Sequence, residues 1–265
     1  MTKVKELIDH LNQQFPPRHQ ESYDNSGFLV GDPNDDISGV LITLDVTSEV
    51  IEEALSKHLN VIISHHPLIF SGVKRITPSD QTGRLLRLII QNHLNIYAAH
   101  TNLDNLPNGV NGILALKLGL VQSRILRPSN PDNPNIGAGM IATLPSPTTL
   151  PQFVSHIKTT LQLPQLRASN PKILAHQPIH KVAICGGSGA FLIDDAKRAG
   201  AQIFLTGDLK YHDFQHAQDD LLLLDIGHYE SEQFAKEIFY FSISEKFRNF
   251  ACQISEQSRS FIYYI

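Results

Sequence analysis

Apolar positions along this chain alternate between two rhythms. Val4, Leu7, Ile8, Leu11 and Phe15 recur at helical spacing, and Pro16-Pro17 ends that helix by removing backbone donors. A turn-rich segment, Tyr23 to Pro33, follows and reads as a connecting loop with a short strand. Gly39 to Asp45 is a continuous apolar run of strand length. Thr47 or Ser48 then caps a helix whose first turn carries Glu49, Glu52 and Glu53, where the helix dipole favours acids. Val61-Ser64 predicts another buried strand, Thr82 to His93 a helix and Ile96-Ala99 a third strand. Strand, helix, strand, helix, strand is the pattern of a parallel α/β sheet.

The rhythm breaks at Arg127 to Asn135, a polar, proline-rich stretch that reads as a linker. Beyond it come a strand over Ile136 to Leu144, a helix over Thr148 to Leu161 and a strand at Lys181 to Cys185. A helix over Phe191 to Ala199, strands at Gln202-Thr206 and Leu221-Asp225, and a helix from Glu230 to Phe241 complete the set. The fold class expected is α/β, as two linked domains with mainly parallel or mixed sheets. Residues 1–125 form one domain, completed by residues 226–265, and residues 126–225 form the other.

Composition narrows the class without naming a function. Hydrophobic residues at 42% and charged residues at 18% are those of a globular protein. A formal net charge of -4 gives no electrostatic reason to expect nucleic acid. The two cysteines, Cys185 and Cys252, are too few for a disulfide framework or a thiolate metal cage, so a reducing cytoplasm fits best. No apolar run reaches the roughly 18 residues of a membrane span, and the N-terminus lacks the apolar core of a signal peptide.

Three apolar runs end in metal-ligand chemistry. Val61-Ser64 leads to His65 and His66. Ile96-Ala99 leads to His100 and, four residues on, Asp104. Leu221-Asp225 leads to His228 and, four residues on, Glu232. Singly, each histidine is most simply a polar strand terminator. Together, an adjacent histidine pair, a carboxylate and a His-x-x-x-Glu helical turn suit divalent metal, because imidazole and carboxylate are the common ligands of such ions. Parallel sheets place ligand crevices beyond the carboxyl ends of their strands, so the three groups converge if the strands share a sheet. His65 and His66, as neighbours at a strand end, are expected to point to opposite sides and grip two ions. His100 reads as a catalytic or orienting partner.

Other motifs compete. Cys185-Gly186-Gly187-Ser188-Gly189 reads either as a phosphate-binding turn or as a tight strand-to-helix connection. His212 and His216 have the spacing of a zinc protease but lack its glutamate. Ser64, His65 and Asp104 form a nucleophilic triad only on paper.

Taken in order, Ser64-His65-His66-Pro67, His100-Thr101-Asn102-Leu103-Asp104, Thr206-Gly207-Asp208 with Lys210-Tyr211-His212-Asp213, and Asp225-Ile226-Gly227-His228-Tyr229-Glu230-Ser231-Glu232 resemble the Nif-three-like family. Its members are also described as GTP cyclohydrolase 1 type 2 or YbgI-like dinuclear metal-binding proteins. The resemblance implies a toroidal homohexamer and two divalent metal ions per subunit, zinc, iron or manganese. They would be held by His65, His66, Asp104, His228 and Glu232 in a cleft at the strand ends; His100 stays the catalytic candidate on the reading of the residues alone. It also implies a hydrolase acting on a small molecule, a nucleotide such as GTP, with opening of the imidazole ring and release of formate. A metal-dependent phosphoesterase and a non-enzymatic metal-binding ring are the alternatives.

Overall fold

The computed structural model describes residues 1–175, 177–217 and 220–265. It divides into two compact α/β units, one formed by Met1–Leu103 with Ala235–Arg259 and the other by Asp104–Phe234 with Ser260–Ile265.

The first unit opens with α1 (Val4–Gln14), whose Val4, Leu7 and Leu11 are buried at the predicted spacing. Strands β1 (Gly27–Val30) and β2 (Gly39–Thr43) precede α2 (Ser48–Ser56), where the Thr47 hydroxyl caps the helix by accepting from the Val50 amide. Next come β3 (Val61–Ser64), α3 (Gln81–Gln91) and β4 (Asn95–Ala98). Strands β2, β3 and β4 run parallel and are buried along their whole length, which is why they read as unbroken apolar runs. Leu41, Ile62 and Ile96 from these strands share one core cluster with Ile51 of α2 and Ile89 of α3. Ser64 and Ala98 are register partners, so β3 and β4 end side by side.

The short α4 (Thr101–Asp104) carries the chain into the second unit. There α5 (Val110–Lys117) leads to β5 (Val121–Asn130) and β6 (Asn133–Thr148), which pair antiparallel. The expected linker is therefore a hairpin. Pro128 sits in β5 at the sheet edge, where a strand tolerates a missing amide donor. Then follow α6 (Leu150–Leu161), β7 (Arg167–Ala168), β8 (Ile179–Ser188), α7 (Ile193–Arg198), β9 (Ile203–Gly207), α8 (Tyr211–Ala217) and β10 (Leu222–Asp225). The sheet order is β5-β6-β8-β9-β10-β7, with β8, β9 and β10 parallel and the remaining pairs antiparallel. Its two faces carry separate clusters, one built on Ile184, Leu205 and Leu224 and the other on Ala183, Phe204 and Leu223.

The helix expected over Glu230 to Phe241 is two helices, α9 (His228–Glu232) and α10 (Ala235–Lys246). The break between them coincides with the return to the first unit. There Phe239 of α10 meets Phe15 edge-on with ring centroids 5.6 Å apart. The last strand, β11 (Ala251–Ile254), pairs parallel with β2 and completes the order β1-β4-β3-β2-β11, with β1 the antiparallel edge.

Candidate metal centre

In the first unit, the parallel ladder delivers three histidines to one end of the sheet. Backbone pairing continues past the strands: His65 donates to the Thr43 carbonyl, His66 to that of Leu44 and Ala99 to that of Ser64. The alternation that would send His65 and His66 to opposite sides stops at Ser64. Their ring centroids are 5.0 Å apart, and His100 lies 5.3 Å from the first and 5.6 Å from the second. One ring nitrogen from each of the three falls within 4.8 Å of the others, a spacing that one ion can draw together. The expected opposition of His65 and His66 is thus replaced by a cluster.

Each ring is oriented through Nδ1. That of His65 donates to the Ala99 carbonyl at 2.9 Å, that of His66 to Asp45 at 2.8 Å and that of His100 to Asp24 at 2.7 Å. This arrangement presents Nε2 to a ligand, and it is how metal-binding histidines are usually held. Burial pushes the Asp24 carboxyl up. The hydrogen bonds from His100, Thr101 and Asn25, with the adjacent imidazole, outweigh that and hold it well below the usual carboxylate range.

The second unit carries Asp104, His228 and Glu232. Gly227, at φ 81°, turns the chain from β10 into α9, so that His228 and Glu232 lie one turn apart on the same helix. His228 Nε2 is 3.1 Å from a Glu232 oxygen, and an Asp104 oxygen lies within 4.8 Å of Glu232. His228 Nδ1 donates to Asp208 at 2.7 Å. Asp208 holds a left-handed φ of 56° directly after β9, a conformation unusual for a side chain other than glycine and concentrated at functional positions. Gly187, at φ 63°, makes the space that Glu232 fills, since a Cβ there would stand 2.1 Å from Glu232 Oε1. Burial pushes the Cys185 thiol far up, helped by the Asp104 and Glu232 carboxylates, so it is a protonated neighbour of this group.

The strands behind these groups do not share one sheet: β3 and β4 lie in the first and β10 in the second. The glycine segment after Cys185 is not a phosphate cradle. The Gly186, Gly187 and Gly189 amides donate to Asn111, Ser231 and Thr206 within the fold. Ser64 Oγ donates to the His66 carbonyl, which leaves the paper triad without an activated nucleophile. His216 pairs with Asp194 and His212 with Gln215, so those two serve surface contacts.

Sequence reasoning missed Asp24 and Asp45 as orienting groups and named Asp208 only as part of a motif, without a role. Position was the available signal for Asp45, which follows β2 much as His65 follows β3. Asp24 lies in a turn-rich loop, and nothing local distinguishes its carboxyl from a solvated one.

The donor chemistry fits divalent metal in both units, since imidazoles and carboxylates are the common ligands of such ions. No helix among the described residues is long and apolar enough to cross a membrane.

Known proteins share this architecture. The GTP cyclohydrolase 1 type 2 homolog of Clostridium perfringens is 35% identical over 87% of this chain and 87% of its own length. That of Clostridium acetobutylicum is 32% identical over 87% and 85%. A crystal structure of a Staphylococcus aureus protein superposes with a TM-score of 0.87 at 31% identity, covering 100% of this chain and 99% of that one. A Bacillus cereus protein related to NIF3 shares the fold at a TM-score of 0.90 and 24% identity, covering 100% and 99%. The profile of the Duf34/NIF3 (NGG1p interacting factor 3) family matches residues 2–260, and the chain belongs to that family.

Proposed function

We propose that this protein is a dinuclear metal-dependent hydrolase that opens the imidazole ring of GTP, or of a closely similar nucleotide, and releases formate. The observation that carries the metal part is the common treatment of the proposed histidine ligands: His66 and His228 each have Nδ1 on a carboxylate, and His65 has its own on a carbonyl. Histidines that merely end strands need no such orientation. The substrate part is carried over from relatives named as GTP cyclohydrolase 1 type 2 homologs.

His65, His66, Asp104, His228 and Glu232 would hold the two ions. The chain supports a shared role for the two groups, because it passes between its units at Leu103–Asp104 and again at Phe234–Ala235, each within a few residues of the proposed ligands. Bound divalent ions supply an activated water at neutral pH and stabilise negative charge on the group under attack. His100 is proposed as the proton carrier in both hydrolyses that formate release requires, opening of the ring and then cleavage of the resulting formamide: each time its Nε2 takes a proton from the attacking water and returns it to the departing nitrogen, while Asp24 holds Nδ1 and stabilises the imidazolium. The same reading includes a homohexamer, to be tested by light scattering.

The test is metal analysis of purified protein followed by formate release from GTP. His65→Ala and Glu232→Ala are each expected to lose bound metal and turnover together, and chelation should abolish turnover in the wild type. A variant that loses metal and keeps full activity overturns the mechanism. Stoichiometric metal without turnover of any nucleotide replaces it with a metal-stabilised binding protein.

A further inference from the structure

The segment from Leu68 to Asp80 carries chemistry that metal binding does not use. It joins β3 to α3 without regular structure, and irregular connections longer than about 12–15 residues are uncommon in compact domains unless they bind or cover something. Both ends are fixed. Asn25 Nδ2 donates to the Ile69 carbonyl at 2.6 Å, and Asp80 caps α3 by accepting from the Gly83 amide at 2.8 Å. Between these anchors the segment walls a cavity of about 860 Å³ with Phe70, Val73, Lys74, Arg75 and Thr82 on its lining. Small-molecule sites have volumes of roughly 300–1,000 Å³.

Two features, one on the wall and one that extends from it through Phe70 to the neighbouring Tyr23, select the ligand. Lys74 and Arg75 are adjacent and exposed, and neither has a carboxylate within 4.0 Å among the described residues. The acid on the wall, Asp80, is committed to its helix cap. These two cations on the lining suit an anion, and arginine with lysine is the usual pairing for phosphate. The other feature is aromatic. Phe70 is 49% exposed and Tyr23 61% exposed, with ring centroids 6.3 Å apart, and the Phe70 ring lies 6.1 Å from that of His100. Large aromatic faces turned to water next to a cavity are platforms for a flat heterocycle. An inorganic anion would engage the cations alone and an apolar molecule the rings alone. Their juxtaposition calls for a phosphorylated aromatic compound.

We propose that this cavity is the nucleotide subsite of the hydrolase, with Lys74 and Arg75 on the phosphate chain and Phe70 and Tyr23 against the base. With the Phe70 ring 6.1 Å from that of His100, a base stacked on Phe70 would be carried towards His100, directing the reaction to the ring and not to a phosphoester. The inference rests on the nucleotide-hydrolase reading, and binding measurements separate the two.

Calorimetric titration of metal-loaded, full-length protein with GTP, guanosine and inorganic triphosphate is the experiment, on wild type, a Lys74→Ala/Arg75→Ala double variant and Phe70→Ala. Wild type should bind GTP at least about tenfold more tightly than guanosine, because two charge-assisted contacts are added. The double variant should lose that advantage and its triphosphate binding, with metal content unchanged. Phe70→Ala should weaken GTP and guanosine together by about tenfold, the loss of one stacking platform. Equal GTP affinity in wild type and double variant, or guanosine bound as tightly as GTP, overturns the subsite. Wild type that shows the expected binding pattern but releases no formate keeps the subsite and removes the hydrolase. Turnover of GTP indifferent to Lys74 and Arg75 does the reverse, and absence of GTP binding removes both.

Discussion

At the scale of single residues, the histidines are set by their carboxylate partners. Asp45 fixes the His66 ring through Nδ1, so Asp45→Asn should lower metal affinity by about 10–100-fold while leaving the fold intact, as read by chelator competition and circular dichroism. Unchanged affinity would reduce Asp45 to a surface tether. Gly187 gives a second test at a residue that supplies no ligand atom but borders one. Gly187→Ala puts a methyl group where the Glu232 carboxylate lies, and a left-handed φ costs an L-residue about 1–2 kcal/mol. The variant should fold with slightly reduced stability and fail to retain metal at the wild-type stoichiometry. The ligand candidates were legible in the sequence because each follows an apolar run, and such runs mark where a buried strand reaches solvent. Their partners were not, since pairing Asp24 with His100 or Asp208 with His228 requires contacts between segments far apart in the chain.

At the scale of elements, Glu53 of α2 ties the helix to the segment that follows β11. Its carboxylate accepts from Ser255 Oγ at 2.5 Å, Lys57 Nζ at 2.7 Å and the Glu256 amide at 3.1 Å. Burial pushes its pKa up, but these hydrogen bonds outweigh burial and lower it from the ordinary 4.5. A carboxyl depressed in the folded state contributes stability that is complete above its unfolded pKa and is lost as pH falls through the folded value. The denaturation midpoint should therefore fall on acidification from about pH 5 to about pH 3, and fall less in Glu53→Gln. An identical acid response in the two proteins would assign the effect to other carboxylates. Strands and helices of this unit were readable from periodicity because burial on both faces produces unbroken apolar runs. The β5-β6 hairpin was not: β5 is an edge strand, mostly exposed, and its proline and asparagine residues carry the composition of a linker.

At the scale of the whole molecule, the first unit is discontinuous in sequence while nearly all of the second is one stretch. A fragment ending at Leu103 lacks β11, the partner of β2, and α10, whose Phe239 packs on Phe15. Residues 1–103 alone should lack a cooperative thermal transition, whereas residues 104–234, which hold both clusters of the second sheet, should melt cooperatively. A sharp transition in the shorter fragment would show that the C-terminal segment is dispensable. Hydrophobic periodicity alone does not show that Ala235–Arg259 belongs with the first unit, because an apolar face does not announce which sheet it joins.

This nesting reverses the usual order of folding during synthesis. Domains of a nascent chain ordinarily fold as units from the N-terminus onward. Here the unit that begins first is completed only after most of the second has been made, because β2 gains β11 only once Ala251–Ile254 have been synthesised. The middle of the chain can fold while the earlier half still lacks its final strand.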